Sequence, residues 1–256
     1  GTPRGSRGHR GPRQRTAAAP SARRRSGDPA RTAAFDALRA VADSDAYANL
    51  VLPPMLRERG IRGRDAGFAT ELAYGTLRLR GRYDAVLALC VGGRTLDEVD
   101  PPVLDALRLG AHQLLGMRVP PHAAVSETVG LVREQVGAGA AQFANAVLRA
   151  VSREPLDTWL ERIGADADPA GSDDVARLSV TESHPAWVTR ALREALVGSG
   201  RTAGELADLL AADNAAPRVS LVARPGLSTP AEVRDAAGAD AEPGRWSPVA
   251  VTLAGG

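Results

Sequence analysis

The sequence RDAGFATELAYGTLRLRGR, residues 64–82, decides the fold class of this chain. Phe68, Leu72, Gly75 and Leu79 are spaced at i, i+4, i+7 and i+11, which places them on one face of an α-helix. Glycine costs about 1 kcal/mol relative to alanine inside a helix, so Gly75 needs a structural reason. The spacing therefore predicts a helix with a buried apolar face and a second helix in close approach at Gly75.

Arginines crowd the end of this predicted helix. Arg78, Arg80 and Arg82 fall where cations suit the negative end of the helix dipole. Arg149 and Arg153 stand at i and i+4 on a later helix. Both groups are consistent either with solvated helix ends or with phosphate contacts. If the two helix ends meet, the five arginines form a patch that can hold several phosphates.

The segments around this stretch also predict helices. Asp28-Pro29 and Asp100-Pro101 each combine an N-cap residue with a proline at the first helical position. Apolar residues then recur at helical spacing, and glycines or prolines separate the segments. Residues 28–154 are therefore predicted to form a compact all-α bundle.

Residues 155–256 predict a helical linker that leads into an incomplete α/β unit. Residues 164–174 are rich in Ala, Asp and Gly and predict a linker or an exposed crossing. Helical spacing resumes at Ser183, and residues 219–223 (VSLVA) and 249–253 predict strands on either side of a helix that starts at Pro230. The predicted fold class is mainly α, with a small α/β segment after the bundle.

Basic charge is concentrated at the start of the chain. All 32 basic residues are arginine, eight of them lie in residues 1–27, and that segment holds no acidic residue. The whole chain has a net charge of +2, so the rest of it is net acidic. Residues 1–27 have little to bury and predict a disordered tail, read either as a basic arm for nucleic acid or as a solvated segment.

Motifs for catalysis or for a metal are missing from the sequence. Glycine-rich phosphate loops, HExxH and CxxC patterns do not occur. Cys90, the single cysteine, lies in the aliphatic run AVLALCV and is interpreted as a buried structural thiol. The four histidines are scattered among unrelated segments, so no metal site is predicted. The sequence holds no membrane span or signal peptide, and a cytoplasmic protein is expected.

Three polar residues lie beside apolar helical stripes. Glu71, Glu127 and Asn145 each fall inside a predicted helix. Buried polar groups need partners, so these residues predict a partly buried hydrogen-bond network between helices rather than an acid/base pair.

The pattern RD…TELxYGTLR in residues 64–78 resembles the central helix of the NusB-like domain in ribosomal RNA cytosine-C5 methyltransferases of the RsmB (Fmu/Sun) type. Further strings follow in that family's order, and together they cover most of residues 30–256. They are RLGAHQLL from Arg108, VPPHAAVSETV from Val119, FANAVLR from Phe143 and SHPAW from Ser183.

The resemblance implies a NusB-like RNA-binding domain over residues 28–154, and its implied partner is 16S ribosomal RNA. Residues 155–256 then correspond to the start of the methyltransferase N-terminal subdomain. The candidate RNA-binding residues are the arginines of the predicted patch: Arg78, Arg80, Arg82, Arg149 and Arg153. Aromatic side chains that could stack bases are scarce, so recognition by RNA backbone and shape is expected. A monomer is expected.

The catalytic machinery implied by the resemblance lies beyond residue 256. In the family, a cysteine thiolate attacks cytosine C6, and C5 then takes the methyl group of S-adenosylmethionine. S-adenosylmethionine is therefore the expected cofactor of the intact protein, while no catalytic, cofactor-binding or metal residue is assigned in this chain, which should be inactive alone. One departure occurs at residues 222–224, Val-Ala-Arg, where the family has an RVN ending, so the role of the usual asparagine is not carried over.

Two other classes of protein stay open at this point. A NusB-type antitermination factor, which binds RNA and a ribosomal protein without catalysis, accounts for residues 28–154 but not for the residues that follow. A helical interaction module without RNA contact is consistent with the acidic charge of the chain after residue 27. Salt-dependent RNA binding would argue against the second alternative.

Overall fold

The computed structural model describes residue 1, residues 27–44 and residues 46–253. Most of the predicted arginine-rich tail lies outside the described residues. The described chain begins with a helical bundle, as predicted from the apolar spacing. Its helices are α1 (Pro29–Ser44), α2 (Ala48–Glu58), α3 (Gly63–Arg78), α4 (Arg80–Ala88), α5 (Pro101–Leu115), α6 (Pro121–Gln135) and α7 (Ala138–Val151).

Helix α5 lies at the centre of this bundle. It packs against α1, α3, α4, α6 and α7. Four residues of α5 are at most 1% exposed: Ala106, Leu107, Leu109 and Ala111. Because the helix is buried on most sides, its sequence is apolar around most of its circumference. The bundle core is a single continuous cluster of buried aliphatic residues.

The predicted close approach at Gly75 is confirmed. A Cβ atom at Gly75 would lie 2.2 Å from Nε2 of His112 on α5, a distance that no side chain tolerates. His112 is 2% exposed, and its Nδ1 lies 2.7 Å from the Tyr83 hydroxyl. Because Gly75 has no side chain, the buried His112 of α5 can pack directly against α3.

The stretch that opened the sequence analysis bends at Leu79. Helix α3 ends at Arg78 and α4 begins at Arg80, so the chain changes direction between them. Leu79 has φ −102° and ψ +20°, outside the helical range. This change of direction separates Arg82 from Arg78 and Arg80.

More helices follow the bundle, and the first of them shares its core. Trp159 and Ile163 are each 2% exposed within the main hydrophobic cluster, and the Trp159 indole N–H donates to the Val151 carbonyl at 2.9 Å. The connection predicted over residues 164–174 is shorter than expected, because helix runs on to Ala167 and resumes at Asp174. These helices are α8 (Leu156–Ala167), α9 (Asp174–Thr181), α10 (Ala186–Gly198) and α11 (Leu206–Asp213).

A small antiparallel sheet closes the described chain. Strand β1 (Ser220–Val222) and strand β3 (Ala250–Leu253) confirm the two predicted strands, and β2 (Ala241–Pro243) pairs with the other edge of β3. Helix α12 (Pro230–Ala237) lies between β1 and β2 in the chain and packs against the sheet. Val251 on the central strand is fully buried. The predicted class, a mainly α fold with a small α/β segment, is confirmed.

Among the described residues, no helix is long and apolar enough to cross a membrane.

Candidate nucleic-acid interface

The three arginines of residues 78–82 have different environments. Arg82 is buried, with 11% of its side chain exposed. Its Nε donates to the Thr181 carbonyl at 2.5 Å, and its Nη2 lies 3.2 Å from Oε2 of Glu182. Its backbone N–H also donates to the Ser183 hydroxyl at 3.3 Å. Arg82 is therefore held by the end of α9 and the residues that follow it.

Glu182 is shared with a third part of the chain. The Asn214 side-chain amide donates to the Glu182 carbonyl at 2.7 Å and lies 3.4 Å from its carboxylate. We call this arrangement of Arg82, Glu182 and Asn214 the junction. It joins the end of residues 64–82 to the residues just before SHPAW and to the residue that follows α11.

The junction changes the interpretation of Arg82. Arg82 is predicted from the sequence to contact RNA together with Arg78 and Arg80, but the bend at Leu79 turns α4 so that Arg82 faces the end of α9. A buried guanidinium needs a counter-charge and hydrogen-bond acceptors, and Glu182 and Thr181 supply both. Arg82 thus has intramolecular partners in place of a phosphate.

Arg78 and Arg80 line a groove of 560 Å³ between the α3–α4 corner and the segment from Ser179 to Ala186. Arg80 is exposed and Arg78 half-buried, and neither forms an ion pair with any residue that the structure describes. Asp84 also lines this groove, but its carboxylate accepts two hydrogen bonds from Arg108, at 2.6 and 2.8 Å. The two arginines therefore present uncompensated positive charge to the groove.

Arg149 is exposed on α7, and the exposed Arg153 follows just beyond the end of that helix. Nε of Arg149 donates weakly to the Asn145 side chain, 3.3 Å away on the same helix. Burial raises the pKa of the Cys90 thiol, and the positive charges of Arg162 and Arg153 partly oppose that rise. Cys90 follows the end of α4, whereas Arg80 begins that helix.

The candidate arginines fall into two groups along the bundle. Arg78 and Arg80 form the first group, at the corner between α3 and α4, and Arg149 and Arg153 form the second, on α7 and just beyond its end. Helices α4 and α7 are in contact. A single patch of these arginines stays a prediction.

Glu71 on α3 lies beside the buried His112 of α5, but the hydrogen-bond network predicted for Glu71, Glu127 and Asn145 is not formed: Nε2 of His112 has no hydrogen-bond partner among the described residues. The pKa of Glu71 is lowered, because His112 and, more distantly, Arg78 favour its charged form against partial burial. Oε1 of Glu71 lies 3.6 Å from Nε2 of His112, so the contact joins α3 to α5. Burial raises the pKa of Tyr83 above its usual value. Asn145, in contrast, pairs only with Arg149 on its own helix.

Two exposed arginines near the second group were not identified from the sequence. The Arg94 guanidinium carbon lies 5.3 Å from the centre of the Phe143 ring, and that of Arg162 lies 4.6 Å from the centre of the Trp159 ring. Both fall outside the strings that carry the family resemblance, and the sequence alone gives no sign of their proximity to α7. Within the described chain, no cluster of three or more His, Cys, Asp or Glu residues could hold a metal ion.

Comparison with known proteins identifies relatives for both halves of the chain. A model of the NusB family matches residues 28–153. A Mycobacterium tuberculosis protein named "Putative methyltransferase Rv1407" is 46% identical over 231 residues, which are 90% of this chain and 49% of that protein. The ribosomal RNA small subunit methyltransferase B of Pseudomonas putida is 34% identical over 163 residues, 64% of this chain and 34% of its own length.

One solved structure is similar over nearly the whole chain. The crystal structure of PH0851 superposes with a TM-score of 0.58 at 14% identity, covering 90% of this chain and 49% of that one. At this identity the likeness shows the fold alone. The chain spans about half the length of the Mycobacterium tuberculosis relative and of PH0851.

Proposed function

We propose that this chain is the RNA-engaging part of an S-adenosylmethionine-dependent 16S rRNA (cytosine-C5) methyltransferase. Two findings support the proposal: residues 28–153 match the NusB family, and the chain is homologous to ribosomal RNA small subunit methyltransferases. The chain corresponds to about half of the Mycobacterium tuberculosis relative, so the transfer of the methyl group is proposed for the intact protein. The function proposed for this chain itself is to bind and position ribosomal RNA.

One observation on the structure carries the RNA-binding part of the proposal. Arginines that support the fold are paired: Arg31, Arg39, Arg82 and Arg108 are each less than a fifth exposed and each forms an ion pair. The predicted RNA contacts Arg78, Arg80, Arg149 and Arg153 form no ion pair within the described residues. The chain after residue 27 is net acidic, and these four unpaired arginines are positions where an anionic ligand can replace water at low cost.

The geometry favours recognition of the RNA backbone. A guanidinium can donate two parallel hydrogen bonds to one phosphate, and the contacts are sequence-independent. In the proposed complex, the RNA backbone contacts Arg78 and Arg80 at the groove and contacts Arg149 and Arg153 at the second group. Choice of the target cytosine then belongs to other parts of the intact protein.

The alternative, a NusB-type factor without catalysis, is less well supported. The NusB-family match ends at residue 153, whereas the similarity to the Mycobacterium tuberculosis relative covers 231 residues. The junction also ties the second half of the chain to the bundle through buried polar contacts. Both observations favour a single protein in which the NusB-like domain works together with the part of the chain that follows it.

A salt titration of RNA binding tests the proposal. The chain should bind a 16S rRNA fragment with an affinity that falls as salt rises, and Arg78→Glu with Arg149→Glu should weaken this binding by about tenfold or more. The matched control is Arg57→Glu with Arg62→Glu, which makes the same change of charge at two exposed arginines on the α2 side of the bundle. Circular dichroism should show the same helicity in all three proteins. Binding that the first variant leaves equal to the control would remove Arg78 and Arg149 from the interface.

The methyl-transfer part needs a separate assay. The intact protein, incubated with tritiated S-adenosylmethionine and unmodified 16S rRNA, should place the label in 5-methylcytosine. Label found in another nucleotide, or none in RNA, would contradict the proposed reaction while leaving RNA binding by this chain standing.

A further inference from the structure

We propose that the outer edge of strand β1 pairs with a further strand of the intact protein, which runs antiparallel to β1 and becomes the fourth strand of the small sheet. The inference goes beyond RNA binding and rests on the proposed function only because it takes this chain as part of a longer protein. The chain spans about half the length of the Mycobacterium tuberculosis relative, so a longer protein of that kind has residues that can supply the strand.

The order of the strands leaves β1 at an edge. The sheet order is β1-β3-β2, and both outer strands run antiparallel to β3. Strands β1 and β2 are therefore parallel to each other, and α12 connects them across the inserted β3, which is a split β-α-β arrangement. In the complete β-α-β-β-α-β motif, the last strand lies beside the first and antiparallel to it. The described sheet matches the first three strands of that motif, and the place of the fourth is the free edge of β1.

The backbone of β1 presents hydrogen-bonding groups at this edge. The Ala223 N–H donates to the Val249 carbonyl at 2.8 Å, next to β3. Because residues of an antiparallel strand face the partner strand and the opposite side in turn, Ser220 and Val222 direct their N–H and C=O groups away from β3. Among the described residues nothing pairs with these groups. Two donors and two acceptors are therefore available to another strand.

The opposite edge of the sheet, formed by β2, is closed to further pairing. The Gly244 N–H donates to the Ala250 carbonyl on β3 at 2.8 Å, so the alternate residues Ala241 and Pro243 face outward. Pro243 has no N–H, and the Ala241 N–H donates to the Gly238 carbonyl at 3.2 Å. Proline at an edge is a device by which natural sheets prevent strand addition. Within the described sheet, only β1 offers free donors.

Apolar side chains are also exposed along β1. Val219 and Val222 are 57% and 63% exposed, whereas Val251 on the central strand is fully buried. An exposed apolar edge strand promotes aggregation unless another segment covers it, and a small sheet gains stability from each added strand. Pro217 and Pro225 bound this stretch of the chain, so the added strand is short.

Amide hydrogen exchange of the 256-residue chain and of the intact protein, measured at single residues by mass spectrometry with electron-transfer fragmentation, tests the proposal. The Ser220 and Val222 amides should exchange freely in the chain alone and at least about tenfold more slowly in the intact protein. The Ala223 amide, which is bonded to Val249, should be protected in both proteins and serves as internal control. RNA is not used in this experiment, so a failure of the RNA-binding or methyl-transfer assays would overturn the proposed function without deciding the fate of the β1 edge.

Two substitutions at Val222 separate strand pairing from simple coverage. Val222→Pro removes the outward N–H and leaves the bonds between β1 and β3 in place, as Pro243 does in β2. In the intact protein it should return the Ser220 amide to free exchange. Val222→Ala keeps the N–H and should retain the protection of Ser220.

Three results would overturn the proposal. The first is free exchange of the Ser220 and Val222 amides in the unsubstituted intact protein, a comparison that needs no variant to fold. The second is protection that rises with protein concentration in either protein, because a second copy would then occupy the edge. The third is protection of Ser220 that survives Val222→Pro, since the amide would then be covered without strand pairing.

Discussion

The Arg82 guanidinium and the Glu182 carboxylate, a hundred residues apart in the chain, lie 3.2 Å from each other at the contact between α4 and the end of α9. Their side chains are only 11% and 19% exposed. Arg82 also donates to the Thr181 carbonyl, and Glu182 is held from the other side by Asn214. Because each group has several partners, the junction fixes the bundle to the helices that follow it more firmly than a surface ion pair would.

Arg82→Ala should therefore destabilise the chain by about 2 kcal/mol, because it leaves the Glu182 carboxylate and the Thr181 carbonyl without their donor. Urea unfolding followed by circular dichroism measures the change. Arg80→Ala, two residues away, removes an exposed arginine without an ion pair among the described residues and should shift stability by less than about 0.5 kcal/mol. Equal effects of the two substitutions would show that the junction contributes nothing to folding.

Gly75→Ala should destabilise the chain by about 2 kcal/mol although alanine is the better helix former. The added Cβ would lie 2.2 Å from Nε2 of His112 and 2.9 Å from Oε1 of Glu71, so α3 and α5 must move apart or His112 must leave its site. Gly67→Ala is the matched control on the same helix, since a Cβ there meets nothing within 4 Å. It should stabilise by about 0.5 to 1 kcal/mol. Thermal unfolding of the two variants should move the midpoint in opposite directions.

The lowered pKa of Glu71 predicts a pH dependence of stability. Its first cause is the contact with His112, which favours the carboxylate in the folded chain. A carboxyl group whose folded pKa is depressed contributes stability that is complete above its unfolded pKa of about 4.3 and is lost as pH falls through the folded value. Glu71→Gln should therefore flatten the fall in unfolding free energy between about pH 5 and pH 3. The exposed Glu161→Gln serves as control, and an equal flattening by it would refute the assignment.

Much of the fold could be predicted because helical periodicity is a local signal. Helix α12 begins at Pro230 and ends at Ala237, as the cap Thr229 and the proline predicted. Helix α8 was missed, since its Ala- and Asp-rich end resembles the loop that follows it. Strand β2, with the sequence AEP, was missed because it has no intrinsic preference for extended structure and forms only against the free edge of β3.

The site was less predictable, because it depends on contacts between distant residues. Arg78, Arg80 and Arg82 are equivalent by sequence, and only the bend at Leu79 and the position of Glu182 turn the third into an interior residue. Arg94 and Arg162 lie in no recognisable string, and their relation to α7 exists only through the rings of Phe143 and Trp159. Spacing along a helix identifies candidate cations, but which of them stay unpaired is decided by the tertiary structure.

Asp105, on the central helix α5, offers the last test of how charge supports the bundle. Its side chain is 4% exposed and accepts hydrogen bonds from Arg39 at 2.7 Å and from Arg108 at 2.8 Å. Burial lowers the pKa of the Arg108 guanidinium, but the carboxylates of Asp84 and Asp105 outweigh it and the net shift is upward. Asp105→Ala would remove the buried carboxylate that Arg39 on α1 and Arg108 on α5 share, and would leave each arginine with only its more exposed partner, Asp43 or Asp84.

Asp105→Ala should therefore cost about 3 kcal/mol in unfolding free energy, the loss typical of removing one partner from a buried ion pair. Asp43→Ala is the matched control, because Asp43 contacts the same Arg39 from the solvent side with 60% of its side chain exposed. That control should cost less than about 0.5 kcal/mol. Double-mutant cycles with Arg39→Ala should then show strong coupling for Asp105 and weak coupling for Asp43. The reverse order would mean that Arg39 is held by its exposed partner and that the buried contact contributes little.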